Sequence, residues 1–123
     1  MTRLWLLLSA IAGFSGVGLG AFAAHGLKKS LTPEYLAVFQ TGTHYQLIHA
    51  LALFGVALLA LKLPSRLVNL AGGFFALGIV LFSGSLYLLT LSGIGALGMI
   101  TPIGGLSFLA GWLCLGLAAW RIS

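Results

Sequence analysis

Four long apolar runs constrain this chain more than any motif in it. A sliding window of about 19 residues places them at residues 4–24, 43–61, 67–89 and 103–120. Each is long enough to cross a hydrocarbon core of about 30 Å at a helical rise of about 1.5 Å per residue. A water-soluble domain needs about a quarter of its residues charged, whereas here 6% are charged and 60% hydrophobic. The surface must therefore face lipid. The runs are unbroken stretches of Leu, Ala and Gly without alternation, which suits helices and not barrel strands. At 123 residues the expected architecture is a single membrane domain, an all-α integral membrane protein built as a compact bundle of four transmembrane helices.

Local signals agree with these spans. Thr32-Pro33-Glu34 supplies an N-cap, a proline at the first helical position and an acid in the first turn. Thr101-Pro102 repeats the cap before the fourth span, and Leu63-Pro64-Ser65 marks the turn into the third. Residues 33–42 read as a short amphipathic stretch before the second span. Leu36, Val38 and Phe39 would rest on lipid there, with Glu34 and Gln40 facing water, making the stretch a candidate lid. Arg3 before a leucine run, with Ala21-Phe22-Ala23 beyond it, has the look of a cleavable leader; the segment is expected to remain as the first span.

The net charge of +5 comes from Arg3, Lys28, Lys29, Lys62, Arg66 and Arg121 against the single acid Glu34. These cations are dispersed at span ends, where such side chains snorkel to lipid headgroups. They form no dense basic patch, so nucleic acid is not an expected partner and the lipid bilayer is. Arg3, Lys62, Arg66 and Arg121 fall on one side and Lys28 and Lys29 on the other. By the excess of cations in cytoplasmic loops, both termini are expected inside a bacterial inner (plasma) membrane. Cys114 is the only cysteine, which excludes an internal disulfide or a paired-cysteine metal motif.

Small residues indicate how the helices pack. Ala12, Gly16, Gly20 and Ala24 recur every four positions, a small-xxx-small strip suited to close helix approach. Gly72 with Ala76, and Ser107 with Gly111, offer further contacts. The run Gly16-Val17-Gly18-Leu19-Gly20 has dinucleotide-loop spacing, but no strand precedes it and no ribose-binding acid follows, so no cofactor is expected. Phe14-Ser15-Gly16 recurs as Phe82-Ser83-Gly84, too short a match to establish a duplication.

Polar side chains inside the spans are unevenly distributed. Counting from Lys62, His49 lies roughly 20 Å towards the outer face. Ser83, Ser85 and Tyr87 fall in the outer third of the third span. Thr101 and Ser107 sit near the outer start of the fourth, and His25 at the outer end of the first. A pore would be polar from face to face, so the pattern fits an outward-facing pocket or a one-sided polar cluster of His25, Tyr45, Gln46, His49, Ser83, Ser85, Tyr87 and Thr101. At about 100° per residue, Tyr45 and His49 share an arc with Glu34 and Thr41, while His44 points away. The Tyr45 and His49 pair reads either as hydrogen-bonded glue between helices or as a ligand or proton site.

Catalytic chemistry has little to work with. There is no aspartate and Glu34 is the only carboxylate, which removes Ser-His-Asp triads, paired-carboxylate hydrolysis and most metal hydrolase sites. A Ser-His dyad remains as a minor alternative, Ser83-Gly84-Ser85 with His49, in the manner of intramembrane serine proteases. A zinc site from His25, His44 and His49 is disfavoured by irregular spacing and diverging faces. No enzyme and no metal site is the expected reading.

Gly20-Ala21-Phe22 with Ala24-His25-Gly26-Leu27, Phe39-Gln40 with Tyr45-Gln46 and His49-Ala50-Leu51, Phe82-Ser83-Gly84-Ser85-Leu86-Tyr87, and Thr101-Pro102-Ile103-Gly104-Gly105 with Gly111-Trp112 occur in that order. Together they resemble a domain-of-unknown-function family of small four-span bacterial inner-membrane proteins with animal transmembrane-protein relatives. The resemblance implies four spans across nearly the whole chain and brings no accepted activity, substrate or catalytic residue. Its signature includes His25, Tyr45, His49, Ser83, Ser85, Tyr87 and Thr101, and not His44.

Three function classes follow. The foremost is a non-enzymatic membrane module, a homo-oligomer or an accessory subunit of a complex. The second is binding or transport of a small apolar molecule, a quinone or lipid, at the outer polar cluster. The third is a proton or solute channel.

Overall fold

The computed structural model describes residues 1–122. In chain order the elements are α1 (Thr2–His25), a 3₁₀ turn (Leu27–Lys29), α2 (Pro33–Lys62) and α3 (Arg66–Gly78). A π-helical turn (Ile79–Ser83), α4 (Gly84–Ser92), a second 3₁₀ turn (Gly95–Met99) and α5 (Thr101–Trp120) follow. Four helical stretches are long and apolar enough to cross a membrane: Thr2–His25, Pro33–Lys62, Arg66–Ser92 and Gly95–Trp120. The third contains α3, the π turn and α4.

Two of the three expected helix starts are made by their caps. Thr32 Oγ1 accepts the N–H of Tyr35 at 3.2 Å with Pro33 in the first turn, and Ser65 Oγ accepts that of Leu67 at 3.2 Å. Thr101 does not cap α5. Ile100 is the flanking residue, and its carbonyl takes the N–H groups of Ile103 and Gly104. Thr101 is already inside the helix, and its hydroxyl is free to cross to α4. Gly93, at φ +76°, ends α4 in the left-handed region that suits glycine.

Residues 33–42 are not a separate interfacial lid. They are the first turns of the continuous helix α2. Twenty residues back from Lys62 span about 30 Å, so α2 stands above the hydrocarbon by its first turns instead of lying flat. Phe39 is fully buried, not laid on lipid, and with Ala23 and Leu27 it forms a small second core, flanked by Leu19, Leu31, Leu36 and Tyr87. A buried phenyl ring in this position holds the extension upright.

The chain forms two antiparallel hairpins, α1 on α2 and α3 on α5, joined along α2 and α3, with α4 also against α2. The main core lies where they meet and includes Trp5, Leu53, Val56, Val68, Phe75 and Phe108. On α1 the buried positions are Trp5, Ser9, Ala12, Gly16 and Ala23, steps of four and three that follow a 3.5-residue seam. The strict four-residue strip therefore fails beyond Gly16. Four-residue steps rotate by about 40° each at 3.6 residues per turn, so Gly20 is only partly covered and Ala24 is exposed.

Close packing runs through glycines that face aromatic rings of another helix: Gly72 under Trp5, Gly42 under Tyr87, Gly111 under Phe75 and Gly78 under Phe108. The tightest approach is Gly104, where a Cβ would fall on the backbone of Leu81 and Phe82. The π turn widens the third span at that point, and only a residue without a side chain lets α5 pass.

Candidate functional site: three polar junctions and an aromatic groove

Six of the eight candidate polar residues divide into three junctions between helices. Gln46 is the centre of the first. From α2 its amide donates to the Ala12 carbonyl at 2.9 Å and to Ser15 Oγ at 2.8 Å on α1, while its Oε1 accepts the Tyr87 hydroxyl of α4 at 2.6 Å. One buried amide therefore ties three helices. The second junction follows from the π turn, which directs Ser83 into α2, where its hydroxyl donates to the Gly42 carbonyl at 2.7 Å. Two residues on, Ser85 Oγ pairs with Thr101 Oγ1 at 2.6 Å and also donates to Phe82 O at 2.9 Å.

His49 forms the third junction. Its Nδ1 lies 2.8 Å from the Tyr45 carbonyl, and the Trp112 indole N–H reaches its Nε2 at 3.0 Å. An indole N–H can only donate, so Nε2 accepts and the ring proton sits on Nδ1, donating to Tyr45 O. The imidazole stacks on Phe108 with centroids 3.6 Å apart and planes 8° from parallel. Both ring nitrogens are engaged and the ring is buried. Neither Ser83 nor Ser85 is hydrogen-bonded to it, so the serine-histidine pairing has no geometry here.

Tyr45 stands apart from this satisfied set. It is part-exposed, its ring runs within 9° of the His49 plane, and its hydroxyl finds no hydrogen-bond partner among the described residues. With His49, Phe82, Phe108 and Trp112 it walls a groove of about 550 Å³, completed by Pro102, Gly105, Leu106 and Leu109. His25 joins no junction: it is exposed at the end of α1 and makes no side-chain hydrogen bond among the described residues. His44 is exposed on the far face of α2, edge-on to Tyr45. Among the described residues no three His, Cys, Asp or Glu side chains converge to hold a metal ion.

Sequence reasoning passed over several partners. Trp112 is the most consequential, and its signal was present: a tryptophan far from the ends of an apolar span, where belts of such rings do not lie, must find an acceptor for its N–H. Trp5, bonded to Asn69 Oδ1 at 2.9 Å, lies at the end of its span, where depth gives no such signal. Ser9, which donates to Ala50 O at 2.8 Å, and Ser107, which donates to Phe74 O at 2.7 Å, have backbone partners that no side-chain pattern reveals.

Residues 19–105 match the family described as protein of unknown function (DUF423). The chain belongs to the DUF423 family. It is 48% identical over 118 residues to the UPF0382 membrane protein YwdK of Bacillus subtilis, covering 95% of this chain and 96% of the relative. It is 44% identical over 121 residues to the UPF0382 inner membrane protein YgdD of Escherichia coli K12, covering 98% and 92%. A UPF0382 membrane protein of Staphylococcus haemolyticus is 44% identical over 119 residues, covering 97% of each chain. No solved structure matches. This DUF423 chain is thus a small, four-helix membrane protein of an uncharacterised family. The family match includes all eight candidate polar residues, whereas Trp112 lies beyond it.

Proposed function

We propose that the chain is a non-enzymatic module of the bacterial inner membrane that acts as a subunit of a larger assembly, as a homo-oligomer or beside a different partner. One observation carries this reading. Among the described residues no buried side-chain nitrogen or oxygen lacks a hydrogen-bond partner. Most polar groups of the interior join one helix to another, Thr43 and Thr90 bonding within their own helices, and a catalytic or conducting interior would keep some of them available to substrate, water or ions. The names of the Escherichia coli and Bacillus subtilis relatives support the membrane location.

Both termini are cytoplasmic in this reading. The two hairpins bring Arg3, Lys62, Arg66 and Arg121 to one end of the bundle and Lys28 and Lys29 to the other, and the larger cationic group marks the inner side.

The test is the mass of the native assembly, extracted into nanodiscs and measured intact. A defined multiple of 12.8 kDa, or a fixed complex with a second polypeptide, is the expected result. A lone monomer in every preparation contradicts the reading.

A further inference from the structure

Beyond its role as a module, the chain carries a groove whose wall differs from ordinary lipid-facing surface. Tyr45, His49, Phe82, Phe108 and Trp112 converge on it, and three of these rings are nearly parallel: His49 and Phe108 within 8°, Tyr45 and His49 within 9°, Tyr45 and Phe108 within 15°. Two hydrogen bonds on His49 and the stack on Phe108 fix the wall before anything binds. We propose that this groove binds a flat, membrane-soluble conjugated ring bearing a carbonyl acceptor, of the isoprenoid quinone class.

The choice of occupant rests on complementarity. Aromatic walls favour a flat conjugated ring through offset stacking, whereas an acyl chain gains only the contact that any apolar surface gives. The Tyr45 hydroxyl is the one polar group of the groove without a partner, and it donates to an acceptor seated there. His49 offers no competing donor, since both its nitrogens are engaged, and Pro102 at the rim has no N–H. Space comes from Gly105, where an added Cβ would meet only Phe82 Cδ2, at 3.9 Å. The volume of about 550 Å³ falls within the usual range for small-molecule sites.

A second groove serves as an internal contrast. It lies between α1 and α2, has the same volume of about 550 Å³, and is lined by Ser9, Gly13, Val17, Leu47, Ala50, Leu51 and Phe54. It has a single aromatic ring, and its one hydroxyl is already bonded to the Ala50 carbonyl. That groove suits acyl chains.

The experiment is a titration of the full chain in nanodiscs with decylubiquinone, read by tryptophan fluorescence in a Trp120→Phe background, which leaves Trp112 at the groove and Trp5 buried in the main core. The expected result is a saturable quenching component above the linear background of membrane partitioning. Tyr45→Phe should weaken it roughly three- to tenfold, as loss of one hydrogen bond does, and Gly105→Leu should abolish it by filling the groove. Melting temperatures of both variants should stay close to the parent, which separates lost binding from lost fold. Purely linear quenching of the parent overturns the proposal, as does a saturable component unchanged in both folded variants or competed equally well by decylbenzene, which lacks the carbonyl. None of these outcomes bears on the assembly mass, so the groove and the module reading stand or fall separately.

Discussion

The Trp112 indole donates to His49 Nε2 across 3.0 Å, and this bond links α2 to α5, two helices that are not among the closely packed pairs of the bundle. The hairpins meet where α2 packs against α3, the π turn and α4. The His49 ring, stacked on Phe108 and bonded to Trp112, adds a connection from α2 to α5 beside those that Gln46 and Ser83 make with the third span. In lipid no hydrophobic force draws helices together, so packing of small residues and interhelical hydrogen bonds must do so.

Gln46 should be the most costly single polar residue to remove. Gln46→Leu leaves the Tyr87 hydroxyl and the Ala12 carbonyl without the partner that each now has, and buried polar groups left unsatisfied cost about 1–3 kcal/mol. Tyr87→Phe removes one of the bonds and should cost about 1 kcal/mol. Denaturation in micelles measures both. Equal melting curves for the two variants and the parent would refute the junction.

Two glycines of the same chain should behave oppositely. Gly104→Ala drives a methyl into the backbone of the π turn, and overpacking of this kind costs about 1–3 kcal/mol. Gly20→Ala meets nothing within 4 Å and should leave stability unchanged or slightly raised. A paired melting measurement checks the contrast, and a neutral Gly104→Ala would remove the close approach of α5 to the π turn.

Much of the fold was legible because lipid imposes simple rules. Span length, continuous apolarity, the cap at Thr32 and the turn at Leu63-Pro64-Ser65 follow from the hydrocarbon thickness and backbone hydrogen bonding, and these are one-dimensional signals. The small residues Ala12, Gly16, Gly72 and Gly111 were legible as contacts for the same reason. Ala24 was not, because a strip read at steps of four ignores the rotation that a 3.5-residue seam corrects. Phe39 was assigned to lipid because a linear reading cannot see Ala23 and Leu27 folding back over it. Of the candidate polar set, Gln46, Tyr87, Ser83, Ser85, Thr101 and His49 meet at junctions while the side chains of His25 and Tyr45 join none, and this division depends on the π turn, which redirects Ser83 and Ser85 and leaves no mark in composition or period. Trp112 was readable in principle from its depth alone.

The orientation has a direct check. Lys28→Cys should react with a membrane-impermeant maleimide from outside intact cells, and a reporter fused after Ser123 should be active only in the cytoplasm. Cys114 is buried and should contribute no background. Labelling that requires broken cells would reverse the assignment.

The central claim is that polar side chains inside this bundle are committed to holding helices together, and a double-mutant cycle on His49→Leu and Trp112→Phe tests it most directly. Unfolding free energies of the parent, both single variants and the double variant should give a coupling of about 0.6–2 kcal/mol, the range of hydrogen bonds between membrane helices. Single-variant losses that add to the double-variant loss, within the roughly 0.3–0.5 kcal/mol expected of independent sites, would contradict it.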